Sequence, residues 1–125
     1  MKGKRGGNVG IFSKQPKVVA ALDPRQAAEW IGLPAGTIFR DDGNVASMYC
    51  AAVPGLEPGG YYPCTIVNKG NTIAVSLGGK VVSYLDKNCL GDGAEVLARH
   101  RSKMVRALLY PRAEGRKTAS VYARI

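Results

Sequence analysis

At 125 residues and 46% hydrophobic composition, the chain is long enough for one compact domain and too short for two. No apolar run reaches the roughly 20 residues needed to cross a bilayer as a helix, which excludes a helical membrane anchor within this sequence. The net charge of +9 sits at the ends: residues 1–17 carry five basic side chains and no acid, residues 99–125 carry eight against Glu114, and residues 18–98 hold five basic against eight acidic.

In chain order, Met1–Gly10 is rich in Gly and Lys, has little to bury, and reads as part of a flexible basic arm over 1–16, with a single β-rich domain over 17–125. The arm is not followed by the apolar core of a secretory signal, so export by that route is not expected. A short strand is expected from Lys17 to Ala21. Asp23, Pro24 and Gln26 then form a capping box with proline at the first helical position, and the helix should run through Trp30 and stop at Gly32. Thr37–Arg40 reads as a strand, 41–44 as a turn and Val45–Val53 as a second strand. After a Pro/Gly loop, Tyr61–Val67, Thr72–Leu77 and Lys80–Leu85 alternate in apolar character, and the Gly78-Gly79 pair sets a two-residue hairpin turn.

The segment 93–110 has two readings. Asp92 and Glu95 offer a second capping box, and Leu97, Ala98, Met104, Val105 and Leu108 recur at helical spacing, which favours a helix. The alternative divides it into a strand Glu95–Arg99, a basic loop and a strand Met104–Tyr110. The alternating Ala119, Val121, Ala123 and Ile125 close the chain as a strand. The expected fold is therefore α+β, predominantly antiparallel β, a small barrel or sandwich with one or two short helices.

Catalysis has little to work with. The only histidine is His100, and no phosphate cradle or nucleophile motif is present, so the chain is expected to be no enzyme. Cys50, Cys64 and Cys89 are far apart and lie in or beside apolar stretches, which suits reduced core residues. With one His and no Cys pair, neither a metal nor another cofactor is expected.

Charge suggests the partner. A near-neutral body with cationic ends is built to dock onto something acidic, either nucleic-acid phosphate or an acidic protein surface. The contact residues expected are Lys2, Lys4, Arg5, Lys14 and Lys17 near the N-terminus, with Arg99, Arg101, Lys103, Arg106, Arg112, Arg116 and Lys117 near the other end. Single-strand binders interleave aromatics with basic residues. Along this sequence Tyr61, Tyr62 and Tyr84 lie in the neutral middle, and only Tyr110 and Tyr122 fall near Arg or Lys, which argues against base stacking.

Two resemblances bear on function. Residues 26–40, QAAEWIGLPAGTIFR, resemble the helix-turn-helix that opens excisionase-type DNA-binding domains, with Ala28 at the helix crossing, Gly32 at the turn and Ile38 as the apolar anchor. Asp41, Asp42 and Gly43 depart from it, since they interrupt the recognition helix and would face phosphate. Over a longer stretch, PAGTIFRDDGNVASMYCAAV, EPGGYYPCTIVNKGNTIAVSLGGKVVSYLD and EGRKTASVYARI resemble the head decoration (cement) proteins of tailed phages, in which apolar strands alternate with Gly turns around a small barrel. That resemblance implies a non-enzymatic viral structural protein, a homo-oligomer made in the host cytoplasm and incorporated into the virion. Its partners would be capsid protein or other virion subunits, with contact to nucleic-acid phosphate as a further possibility and none to membrane. The alternative is a small basic DNA-binding protein using 24–40 and the basic C-terminal segment.

Overall fold

Alternation of inward apolar and outward polar residues governs the architecture. The computed structural model describes residues 20–36, 39, 43–69, 72–85 and 104–124. One helix, α1 (Pro24–Trp30), precedes six strands: β1 (Val45–Ala51), β2 (Tyr62–Asn68), β3 (Ile73–Leu77), β4 (Lys80–Tyr84), β5 (Met104–Pro111) and β6 (Thr118–Arg124). All neighbouring pairs are antiparallel, in the order β1-β6-β5-β2-β3-β4. The sheet curls until its two edge strands meet. Cys50 forms an isolated bridge with Leu85, and the Ser83 hydroxyl donates to the Ala51 carbonyl at 3.3 Å. The expected fold class is what the chain adopts: a curled, half-barrel antiparallel sheet with one short helix.

Inside the curl, side chains lie in rows that cross several strands. Ala46, Ala123, Ala107 and Cys64 face one another in one row, and Met48, Val121, Leu109 and Tyr62 form the next. All eight are buried. The small row lets the sheet bend tightly, and the large row fills the space that the bend encloses. Ile66, Val75, Val105 and Leu77 extend the same core toward β3.

α1 packs on the outside of the sheet. Asp23 accepts from the Gln26 amide at 2.8 Å and Gln26 returns the bond to the Asp23 amide at 3.3 Å, so the expected capping box is present. Ala27, Ala28, Ile31 and Leu33 cover Leu108 of β5, with Phe39 and Tyr122 at the margin. Gly32 ends the helix in the left-handed region at φ 84°, and a Cβ there would meet the Arg124 guanidinium at 3.3 Å.

Three expectations are corrected. The helix over 93–110 does not hold for 104–110, which is strand β5; the remainder, Asp92 and Glu95 included, lies outside the described residues. The reason is physical. Val105, Ala107 and Leu109 face the core, while outward-facing Leu108 is buried under α1, and this two-sided coverage erases the period of two and imitates a helix. Phe39, the described member of the expected strand Thr37–Arg40, lies in a 3₁₀ turn, and β1 pairs instead with β6. Ala20 and Ala21 form no strand; Leu22 alone bridges to Tyr61. The N-terminal arm lies outside the described residues.

Gly78 and Gly79 have φ of 59° and 85°, the two positive values of a type I′ hairpin turn. Replacing both by Val forces β-branched side chains into that region. Chemical denaturation should show a loss of roughly 1–3 kcal/mol. Burial pushes the Cys64 thiol far above its ordinary range, with Cys50 adding to the rise. Burial raises Cys50 too, against a smaller opposing effect of its hydrogen bond to Ser83. Because the thiolate is the nucleophile, both should stay unlabelled by iodoacetamide at mildly alkaline pH until the protein is unfolded, as peptide mass mapping would show.

Candidate functional site

Outward-facing positions of β1, β6 and β5, with Tyr61 just before β2, gather four of the six tyrosines. Tyr49 and Tyr110 both lie opposite Ser120, one on each flanking strand. Tyr61 continues that row, its ring 4.9 Å from Tyr110. Tyr122 lies one row away, beside Ser47 and Leu108. Phe39 closes the group, 4.9 Å from Tyr61 and stacked on Tyr122 at 5.9 Å with the planes 20° apart. All four tyrosines are half-buried.

These side chains line an open cleft of about 600 Å³, bounded at one end by Arg112, Ala113 and Arg116 of the β5–β6 loop. Among the described residues, its lining includes two arginines and no carboxylate. The Arg112 guanidinium lies 5.5 Å over the Tyr49 ring, a cation–π contact that holds the charge at the mouth. A second cleft, of about 480 Å³, is lined in part by the same loop, with Glu57 and Glu114 beside Arg112 and Arg116. The described charges therefore balance in the second cleft and are positive in the first.

The expected contact residues divide. Arg112, Arg116 and Lys117 come together on or beside the β5–β6 loop, and the first two line the cleft. Arg106 lies apart, under the helix. It donates to the Trp30 carbonyl at 3.2 Å, and its guanidinium sits 5.1 Å over the Trp30 ring. Arg124 repeats the arrangement, donating to the Gly32 carbonyl at 2.6 Å. Together they satisfy carbonyls at the C-terminal end of α1. Lys2, Lys4, Arg5, Lys14, Lys17, Arg99, Arg101 and Lys103 lie outside the described residues.

Sequence reasoning missed Tyr49, Ser120 and Phe39, and it separated Tyr61 from the basic residues. The sheet corrects that separation: β2 lies beside β5, so Tyr61 meets Tyr110, and Tyr49 meets Arg112 across β6. The outward phase of β1, with Ser47, Tyr49 and Ala51 alternating with the core residues, was the available signal. Where the helix-turn-helix resemblance calls for a second helix, Ala35 and Gly36 form a turn, with Gly36 at φ 94°. Among the described residues no three His, Cys, Asp or Glu side chains cluster as a metal group. No helix among them is long and apolar enough to cross a membrane. No family model, curated protein or solved structure matches this chain.

Arg106 makes a testable contact because Trp30 is the single tryptophan. Arg106→Met should alter the intrinsic tryptophan emission and lower stability by about 0.5–1 kcal/mol.

Proposed function

We propose that the chain is a non-enzymatic binding module that holds single-stranded nucleic acid on the outer face of the curled sheet. One observation carries the reading: four tyrosines and Phe39 converge on a cleft whose charged lining side chains, among the described residues, are Arg112 and Arg116. Half-open aromatic rings offer stacking surfaces to unpaired bases of any sequence, and arginines at the rim take the phosphates. A duplex hides its base faces and gains only the charge contacts. The net charge of +9 supports the same partner by attracting polyanions from a distance.

The alternative proposal is a virion protein docked on acidic capsid subunits. It is favoured by the curled β-sheet, which fits the small barrel that the decoration-protein resemblance implies. It would use Arg112, Arg116 and Lys117 as charges and leave the tyrosines idle.

Fluorescence anisotropy with a single-stranded oligomer of about 12 nucleotides and with its duplex separates the readings. The single strand should bind more tightly than the duplex. Tyr49→Ala should weaken single-strand binding about 5- to 150-fold, equivalent to about 1–3 kcal/mol of lost stacking. Arg112→Ala and Arg116→Ala should each lower the salt slope by about 0.7. Equal affinity for both forms, unmoved by Tyr49→Ala, would leave only a charge contact. Attachment to capsids with no oligomer binding would favour the virion alternative.

A further inference from the structure

Two cation–π contacts among the described residues differ in one respect. The Arg106 guanidinium lies 5.1 Å over the Trp30 ring and also donates to the Trp30 carbonyl at 3.2 Å. The two contacts do not compete, because a guanidinium can rest its flat face on a ring while its five N–H groups point outward in its own plane. At Arg112 only the ring contact is made. Its guanidinium lies 5.5 Å over Tyr49, and among the described residues it has no hydrogen bond or ion pair. Arg106 and Arg124 are exposed and still spend donors on carbonyls, whereas Arg112 is half-buried and spends none there.

The backbone that carries Arg112 is restrained on both sides. Pro111 precedes it as the last residue of β5, with φ fixed by its own ring. Ala113 follows, and its carbonyl accepts from the Arg116 amide at 3.1 Å, closing a turn in which Gly115 takes a φ of 90°. Side chain and main chain are thus both fixed at the edge of the tyrosine cleft, with the donors uncommitted to any described group.

We infer that Arg112 is a preset fork for a backbone phosphate, and that Tyr49 is the residue that positions it. The ring keeps the flat face of the guanidinium, and the in-plane N–H groups take the phosphate oxygens while the ring contact persists. This deepens the single-strand reading and rests on it. An arginine fixed on a phosphate loses rotamer freedom, and the Tyr49 contact has removed part of that freedom before the ligand arrives. Tyr49 therefore contributes to affinity even at a nucleotide that carries no base, and part of the loss on truncating it belongs to the phosphate.

The test uses the intact chain and a deoxyribose-phosphate strand of about 12 units without bases, which offers phosphates and nothing to stack. Wild type should bind it, more weakly than the base-bearing oligomer. Arg112→Ala should weaken binding of this abasic strand about tenfold. Tyr49→Leu keeps apolar bulk but has no ring face, and should weaken the abasic strand about 2- to 5-fold. Tyr49→Phe restores the ring and should bind it as wild type does. With Arg112→Ala already in place, Tyr49→Leu should cause no further loss. A spectroscopic measurement needs no Tyr49 variant and decides the matter if Tyr49→Leu fails to fold. The Arg112 Nε–H proton, assigned by its loss in Arg112→Lys, should lie upfield through the Tyr49 ring current and stay upfield when the abasic strand binds. Four results overturn the positioning role and leave the single-strand reading standing: equal abasic binding by wild type and Tyr49→Leu, additive losses in the double variant, an Arg112 proton that leaves its upfield position on binding, or binding of the base-bearing oligomer alone. Failure of the wild type to bind any oligomer, with or without bases, overturns the reading itself.

Discussion

The curl of the sheet depends on one contrast in side-chain size. Ala46, Ala123, Ala107 and Cys64 line one inward row, and Met48, Val121, Leu109 and Tyr62 occupy the volume beside it. Exchanging small for large in either row would overfill one layer and hollow the other, and both errors are costly in close-packed interiors. Because the core is complete inside the curl, the outer face is free to serve other purposes.

That outer face is shared between support and recognition. α1 covers Leu108 and the neighbouring part of Tyr122, held at its end by Arg106 and Arg124 through backbone carbonyls. The remaining surface, around Ser120, carries the tyrosines. Arginines therefore perform two different tasks on one side of the sheet. Those under the helix have carbonyl partners and act as structural cations, whereas Arg112 and Arg116 on the loop face the cleft. Counting basic residues along the chain treats all of these alike.

Much of the fold was legible because the strands 45–51, 62–68, 73–77, 80–84 and 118–124 alternate cleanly and are separated by glycine or proline turns. The helix announced itself through Asp23, Pro24 and Gln26. Strand β5 was obscured because its two faces meet two different apolar surfaces, a tertiary fact with no local trace. The site was less legible still. Its aromatic members, from Phe39 to Tyr122, arrive from five separate stretches of chain, and only the strand order brings Tyr49 and Tyr61 to either side of β5 and β6. That Ser120 lies between Tyr49 and Tyr110 becomes visible only once the register is known.

The seam where the sheet closes has a mechanical consequence. β1 meets β4 through one bridge, Cys50 to Leu85, and one serine hydroxyl, whereas every other junction is a full ladder. The seam is therefore the most compliant line in the sheet, the place where it yields first under thermal motion. Tyr49 rides on the seam strand, and Tyr110 sits on a strand paired along both edges. Any yielding of that seam moves Tyr49 relative to Tyr110, and carries Met48 and Cys50 of the core with it.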